Sequence, residues 1–381
     1  MATGSCDVAV VGGGVIGSAI AWRCAQRGLA VCLVDPDDGR GAWRTAAGML
    51  APVTELHYTE TPLLSLNLAS LARYRDFAAE AQDLGGLPTG YRECGTVTVA
   101  WDGADLAALQ DLQAFATGLG LRSRMLTGRE LRALEPGLAA GLPGGLLAED
   151  DHQVDPRLLH AALRAAAANA GVERIRSTAR PALSGDRVRG LVTADGTAVS
   201  APVVVIAAGA WSAHLDLPET VASPRVRPVK GQTLRLRLPV ASAPEHVVRG
   251  TVKGSPIYLV PRADGEIVVG ASSEEAGFDQ RPRAGAVYEL LRDAQSVFPE
   301  LGEAVFAEVS TGLRPGSPDN APLIGPAGVE GLVYACGHYR NGVLLTPVTA
   351  DAVAELVATG TVPELIAPFL PARFDEAVAT G

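Results

Sequence analysis

Three glycines close to the N-terminus stand at a spacing suited to one task, the holding of a diphosphate. Gly12, Gly14 and Gly17 follow the apolar run Val8–Val11 and open a helical stretch, giving G-x-G-x-x-G between a strand and a helix. Each glycine has its own physical reason. Gly12 permits a tight turn out of the strand, Gly14 lacks a Cβ and lets phosphate oxygens reach the backbone, and Gly17 lets the helix pack close to the sheet. Val15 and Ile16 then sit at the helix N-terminus, where free N–H groups and the helix dipole attract an anion. Val31–Val34 reads as the next strand, and Asp35 closes it where a carboxylate can take ribose hydroxyls. Without a ligand the same pattern describes a glycine-rich turn in an ordinary βαβ unit. Strand, turn, helix, second strand and acid occur in order, however, and together point to dinucleotide binding.

Other residues could grip a small acid beside such a cofactor. Arg314 lies between Leu313 and Pro315 in a stretch, Gly312–Gly316, that reads as a rigid turn. Its planar guanidinium matches the two oxygens of a carboxylate; the plainer alternative is a surface arginine in a salt bridge. Tyr258 falls on an apolar strand and either packs in a core or donates its hydroxyl to the same carboxylate. Arg340 is a second clamp or a structural partner for its own loop. That loop, His338–Gly342, follows a strand and leads into a helix, so the chain offers a second positive helix end. In a flavoprotein such an end suits the N1–C2=O edge of the isoalloxazine, where negative charge gathers on reduction. Small residues also run together from Thr45 to Pro52. Ala46, Ala47 and Gly48, followed by Met49, would let the backbone pass close to a flat ligand, or else start a tightly packed helix. The motifs G-x-S-x-G, H-E-x-x-H, G-x-x-x-x-G-K-[ST] and C-x-x-C do not occur, and the histidines do not cluster as metal ligands. No metal is expected. No acid–base pair stands out, and none is required where a cofactor carries the chemistry.

The elements that must position these residues alternate in texture. A length of 381 residues suits two domains, or one with a large insertion, and 48% hydrophobic residues support a large core. With only 5% aromatic residues that core is mainly Ala, Val and Leu. Lys plus Arg is 32 and Asp plus Glu is 42, a net charge of −10 that argues against nucleic acid as a partner. No basic, apolar leader opens the chain and no apolar run reaches about eighteen residues, so neither a signal peptide nor a transmembrane helix is expected. Five cysteines without metal-ligand spacing read as reduced core thiols of a cytoplasmic protein.

Helices are expected over 62–84, 105–117, 156–169, 285–297 and 343–359, with a capping box opening another at Thr127. Strands are expected over 95–100, 172–177, 187–193, 257–261, 266–270 and 331–336. The doubly apolar run from Pro202 reads as a buried parallel strand that brings Gly209 to the sheet's C-terminal edge. Thr233–Leu238 alternates, with one apolar face and one cationic face. Residues 136–145 read as a glycine-rich turn region, and the tail from Pro363 as surface-bound or frayed. The organisation is thus interleaved: α/β, α+β overall, with a Rossmann-like nucleotide-binding domain from 1–86, 150–224 and 312–381. A substrate domain built on an antiparallel sheet takes 87–149 and 225–311.

The runs VVGGGVIGSAIAWRCAQRG, AAGMLAP, VVIAAGAWS, PVKGQ, IYLVPR, VVGAS, GLRPGSPDNAPLIG and GHYRNGVLLTP follow in this order along nearly the whole chain. Together they resemble the D-amino-acid-oxidase-like flavoproteins, and within them the branch of glycine oxidases that serves thiamine biosynthesis. The resemblance implies non-covalent FAD. It places Gly12, Gly14, Val15, Ile16 and Gly17 at the pyrophosphate, Asp35 on the ribose, Ala46, Ala47, Gly48 and Met49 beside the flavin, and Arg180 toward the adenine. Gly209 belongs to the same cofactor site, and His338, Tyr339, Arg340, Asn341, Gly342, Val343 and Leu344 close over the flavin edge. Arg314 would bind the substrate carboxylate with Tyr258, and Arg340 and Met49 would border the pocket. The implied reaction takes glycine and dioxygen to an imine and hydrogen peroxide. The imine hydrolyses to glyoxylate and ammonia or passes to thiazole synthase. A homo-oligomer with no membrane or nucleic-acid partner is implied.

Alternatives remain: sarcosine or small D-amino acids as substrates, a dehydrogenase serving a quinone or carrier, a nicotinamide enzyme, or a non-catalytic FAD protein. Three residues depart from the family pattern. Trp43 and Arg44 stand where hydroxyl-rich residues are usual, and Pro256 offers no side-chain donor near Tyr258. Cys336 does not match the place where covalent attachment would be expected.

Overall fold

The structure is a computed structural model describing residues 2–217 and 221–374. Its centre is a six-stranded sheet. Val8–Val11 lies between Val31–Val34 and Val203–Ile206, all parallel. Leu332–Cys336 joins in parallel, Leu323–Pro326 closes one edge antiparallel, and Glu173–Ile175 forms the other. Consecutive apolar residues in these strands require cover on both faces, and alternate residues indeed go to different cores. Val8, Val10 and Val205 pack against the helices Val15–Gln26, Thr61–Gly85, Pro156–Asn169 and Thr346–Thr359. Ala9, Val11, Val204 and Ile206 pack against a four-stranded sheet that contains Ala179–Ser184 and Arg187–Thr193.

Helix ends follow their local chemistry. Asp155 accepts the N–H groups of Arg157 and Leu158 at 2.8 and 3.3 Å, with Pro156 in the first turn. Thr127 and Glu130 form a full capping box. The helix Thr346–Thr359 starts three residues later than the pattern suggests, after a tight turn in which the Leu345 N–H donates to the Asn341 carbonyl.

The second layer is an eight-stranded sheet. It runs in the order Val305–Gly316, Arg227–Arg237, Glu266–Gly270, Ser255–Pro261, Val247–Val252, Thr96–Ala100, Gly144–Ala148 and Arg124–Thr127. Helix Ala284–Val297 covers one face through Val97, Val99, Leu234, Leu236 and Val269. The other face borders a cleft toward the C-terminal ends of the parallel strands.

Several expectations are corrected here. Gly312–Gly316 is no turn. It is the end of the strand Val305–Gly316, paired along its length with Arg227–Arg237. Pro315 is tolerated because this is an edge strand, and the strand carries the substrate sheet past the boundary drawn at 312. Residues 144–148 are likewise a strand. Gly145 allows close approach, since a Cβ there would lie 2.6 Å from the Thr98 carbonyl oxygen. The strand Ala179–Ser184 was not foreseen. The cationic face of Thr233–Leu238 is only half solvated: Arg235 is 2% exposed and paired with Glu266, while Arg237 is turned to solvent. Of the two expectations for the tail from Pro363, surface-bound or frayed, fraying does not hold as far as Phe374, because Ile366 and Phe369 anchor it in the helix-side core; its remainder lies outside the described residues. No single helix among the described residues is long and apolar enough to cross a membrane.

Candidate active site

A cleft of about 1070 Å³ separates the two sheets and receives residues from both. That is just above the usual range for sites of drug-sized ligands.

At its nucleotide end, Gly12 has φ +104°, a region that disfavours side chains, and a Cβ at Gly17 would collide with the Gly12 carbonyl. Gly14 instead faces open space, with Trp43 Cδ1, 3.9 Å from where a Cβ would stand, as its nearest neighbour. The helix behind it has no side-chain cap, so its first N–H groups are free. Asp35 accepts the N–H groups of Gly13 at 2.6 Å and Asp37 at 2.7 Å, and lines the cleft with its remaining lone pairs. Trp43 stacks on His160, centroids 3.9 Å apart and planes 16° apart. His160 Nε2 lies 2.7 Å from the Gly13 carbonyl oxygen, and burial pushes the imidazole down to about 4, so it stays neutral and donates. Arg180 is at the rim, 3.4 Å from Asp216.

The run Ala46–Met49 lines the cleft and is fixed from beneath by Arg262. This buried guanidinium donates to the carbonyls of Ala47 and Val154 and to Gln153 at 2.6, 3.2 and 2.7 Å. Burial lowers it only to about 10, so it remains charged. Thr45 Oγ1 is buried beside this run with no hydrogen-bond partner among the described residues. From the C-terminal loop, His338, Tyr339, Arg340, Gly342 and Val343 line the cleft, as does Gly209. Tyr339 ties the loop to the substrate sheet, its N–H donating to the Pro315 carbonyl at 2.9 Å. Leu344 faces the helix-side core, and Asn341 is not among the lining residues. Burial pushes the Cys336 thiol up to about 12, which leaves it without nucleophilic character.

The acid end is built on two glycines. Arg314 lies across the backbone of Gly231, where a Cβ would stand 2.5 Å from Nη1 and 2.6 Å from Nη2. Nη1 donates to the Ser272 carbonyl at 3.1 Å, and no carboxylate among the described residues pairs with the guanidinium. Tyr258 is the direct cross-strand partner of Gly270, and a Cβ there would stand 2.6 Å from its Cε2. Both side chains therefore lie flat over neighbouring strands on the cleft face. Burial raises the Tyr258 phenol above its ordinary range, against the pull of Arg314, so the hydroxyl stays a donor.

Several cleft residues were missed by sequence reasoning. Arg249, beside Tyr258 in register, has Nη2 3.2 Å from Glu55 and donates from Nη1 to Thr54 Oγ1 at 3.2 Å. Asp151 holds that turn by accepting from Val53 N–H, Thr54 N–H and Thr54 Oγ1 at 3.1, 2.7 and 2.7 Å; burial lifts its carboxyl to about 6. These groups come from distant segments, and no spacing signals them. Trp43 was singled out only as standing where hydroxyls are usual; that its ring stacks on His160, from a distant helix, no spacing signals.

The family of FAD-dependent oxidoreductases named DAO matches residues 7–356. The bifunctional protein ThiO/ThiG of Synechocystis is 36% identical over 97% of this chain and 54% of its own length, so the chain spans about half of that relative. The glycine oxidase of Geobacillus kaustophilus is 36% identical over 95% of this chain and 96% of its own. The crystal structure of glycine oxidase from that organism superposes with a TM-score of 0.91 at 35% identity, covering 97% of this chain and 99% of the other. FAD fits the residues present. The Gly14 cradle is open, the helix N-terminus is uncapped, and the orphaned Thr45 Oγ1 awaits a polar partner in the cleft.

Proposed function

This chain belongs to the DAO family of FAD-dependent oxidoreductases, and we propose that within it the protein is a glycine oxidase. Glycine, dioxygen and water give glyoxylate, ammonia and hydrogen peroxide. The observation that carries this reading is Arg314: a guanidinium without a carboxylate partner among the described residues, laid over Gly231 beside the Tyr258 hydroxyl. It shares one cleft with the dinucleotide turn.

FAD, when bound, supplies the two-electron acceptor that dioxygen regenerates. Gly12, Gly14, Val15 and Ile16 hold its diphosphate, Asp35 its ribose, and Ala46–Met49 with the His338–Val343 loop its flavin end. Arg314 takes both oxygens of the substrate carboxylate and Tyr258 donates a further hydrogen bond, so the α-carbon is oriented rather than merely bound. Glu55 is paired with Arg249, which supports an amine held neutral, the form that can release electrons. Met49 and Arg340 border the pocket and favour a small substrate, with sarcosine and small D-amino acids served less well.

The nucleotide part takes 1–86, 150–224 and the residues after Gly316, and the substrate part takes 87–149 and 225–316. The buried, poorly acidic Cys336 supports non-covalent FAD. The two-part name of the Synechocystis relative supports hand-over of the imine to thiazole synthase in the cytoplasm. Exposed Val305 and Phe306 on an edge strand support a homo-oligomer.

Anaerobic mixing of the yellow protein with glycine tests the activity. Bleaching of the flavin band, with recovery and peroxide on admitting air, is expected. Bleaching only by sarcosine or a D-amino acid would move the substrate, and a colourless protein would overturn the cofactor.

A further inference from the structure

Past Tyr258 the cleft continues to a group that glycine does not need. Arg249 is the direct cross-strand neighbour of Tyr258, and Thr98 that of Arg249, so all three side chains share the cleft face of the sheet. Thr98 Oγ1 is buried and has no hydrogen-bond partner among the described residues. Neighbouring strands are about 4.8 Å apart, so Arg249 stands one strand spacing beyond Tyr258 on this face, on the side away from Arg314. Two arginines therefore face one cleft in opposite states. Arg314 has no carboxylate partner among the described residues, whereas Arg249 is held by Glu55 at 3.2 Å and Thr54 at 3.2 Å.

We propose that Glu55 sets the charge selectivity of this second end. By cancelling Arg249 it lets the enzyme admit N-substituted glycines whose substituent is polar but uncharged, and turn away those that carry a second carboxylate there. The inference rests on the glycine-oxidase reading, because it takes the first carboxylate to be clamped at Arg314. A dicarboxylate would otherwise find two guanidiniums in one cleft. With Glu55 in place it must displace a carboxylate already paired in a partly desolvated setting, where like charges repel strongly. A neutral amide meets no such repulsion, and its N–H and C=O groups suit Glu55 and Arg249.

The test compares N-(carboxymethyl)glycine with its mono-amide, N-(carbamoylmethyl)glycine. The two have the same shape and differ by one charge. Wild-type enzyme is expected to favour the amide at least tenfold in kcat/KM. Glu55→Gln should lower that ratio at least tenfold, and Arg249→Gln should leave it unchanged or raise it. An independent readout is binding of the redox-inert diglycolate against glycolate, followed by the flavin's visible absorbance; Glu55→Gln should tighten diglycolate at least tenfold more than glycolate. The inference is overturned if the wild type prefers the dicarboxylate, if Glu55→Gln changes neither ratio beyond twofold, or if Arg249→Gln lowers the amide preference. If Glu55→Gln fails to fold, the wild-type ratio and Arg249→Gln still decide. A wild type that oxidises no glycine at all overturns the underlying assignment instead.

Discussion

Gly231→Ala tests the proposed carboxylate clamp while keeping its arginine. Gly231 does not occupy the left-handed region, so alanine suits its backbone and costs no strain of that kind. The added methyl would stand 2.5 Å from Nη1, 2.6 Å from Nη2 and 2.7 Å from Cζ of Arg314. An ordinary carbon contact lies at about 3.5–4.0 Å, so the guanidinium must retreat by roughly 1 Å. It can do so, being the far end of a flexible side chain, and the fold and the distant Gly-rich turn stay as they are. A displaced fork loses its two-oxygen match with the substrate. Hydrogen bonds to charged groups contribute about 1.5–3 kcal/mol, and each 1.36 kcal/mol is about tenfold, so KM for glycine should rise about 10- to 150-fold. Gly270→Ala displaces the Tyr258 phenol instead. A neutral hydrogen bond contributes about 0.5–1.5 kcal/mol, so its effect should be about 2- to 12-fold. The assay is steady-state peroxide production across glycine concentrations, with flavin content and melting temperature measured on the same samples. Gly231→Ala with wild-type KM would refute the placement of the carboxylate under Arg314. A variant that loses its flavin would show that the two ends of the cleft are not separable.

Further expectations follow from burial. His160 is pushed down to about 4 and His338 to about 3, whereas an unfolded imidazole titrates near 6.5. The unfolded chain therefore takes up protons first. Stability from the two rings is fully present above about pH 6.5 and falls as the pH drops toward 4, by about 2 kcal/mol for each histidine between pH 7 and pH 5; Asp151, lifted to about 6, returns only about 1 kcal/mol over that range, so the net change is still a loss. Denaturant melts at the two pH values check this, and a flat profile contradicts the burial of both rings. Trp43→Ala removes the ring stacked on His160 over the Gly14 space and should weaken FAD binding about tenfold, by analogy with other aromatic contacts of about 1.5 kcal/mol; titration of apoprotein with FAD measures it. Acid precipitation should leave all of the flavin in the supernatant, because Cys336 is buried with a thiol pushed up to about 12. Yellow colour that stays with the pellet would show a covalent link.

The parts of the molecule that were legible from residues alone are those whose causes are local. The turn at Gly12 and Gly14, the doubly apolar strands Val8–Val11 and Val203–Ile206, and the helix begun by Asp155-Pro156 each carry their reason within a few residues. Where a signal has two physical uses, the local rule chose the wrong one. Glycine and proline at 312–316 suggest a turn, yet Gly312 is small because Thr45 packs against it, and Pro315 is permitted by the sheet edge. The continuation of the row from Arg314 and Tyr258 to Arg249 and Thr98 was beyond reach for a different reason. Its members come from separate strands, and only the register of the sheet makes Arg249 the neighbour of both Tyr258 and Thr98.

The runs PVKGQ and VVGAS show how such register is nonetheless written into the chain. Read singly, Gly231 and Gly270 look like weaknesses in otherwise good strands, since glycine packs nothing and loses much entropy on ordering. Each proves to be the vacancy that lets a side chain from an adjoining strand lie down over it: Arg314 over Gly231, Tyr258 over Gly270. The glycine and the functional side chain are thus one device split between two strands. Antiparallel pairing brings its halves together, and the fixed period of two along each strand keeps both on the cleft face. A one-residue slip of Arg227–Arg237 would turn Gly231 to the helix-covered face and set a bulky neighbour, Lys230 or Gln232, under the guanidinium. The long ladder from Arg227 to Arg237 therefore serves the site as much as the fold: it holds the register on which the empty space beside Arg314 depends.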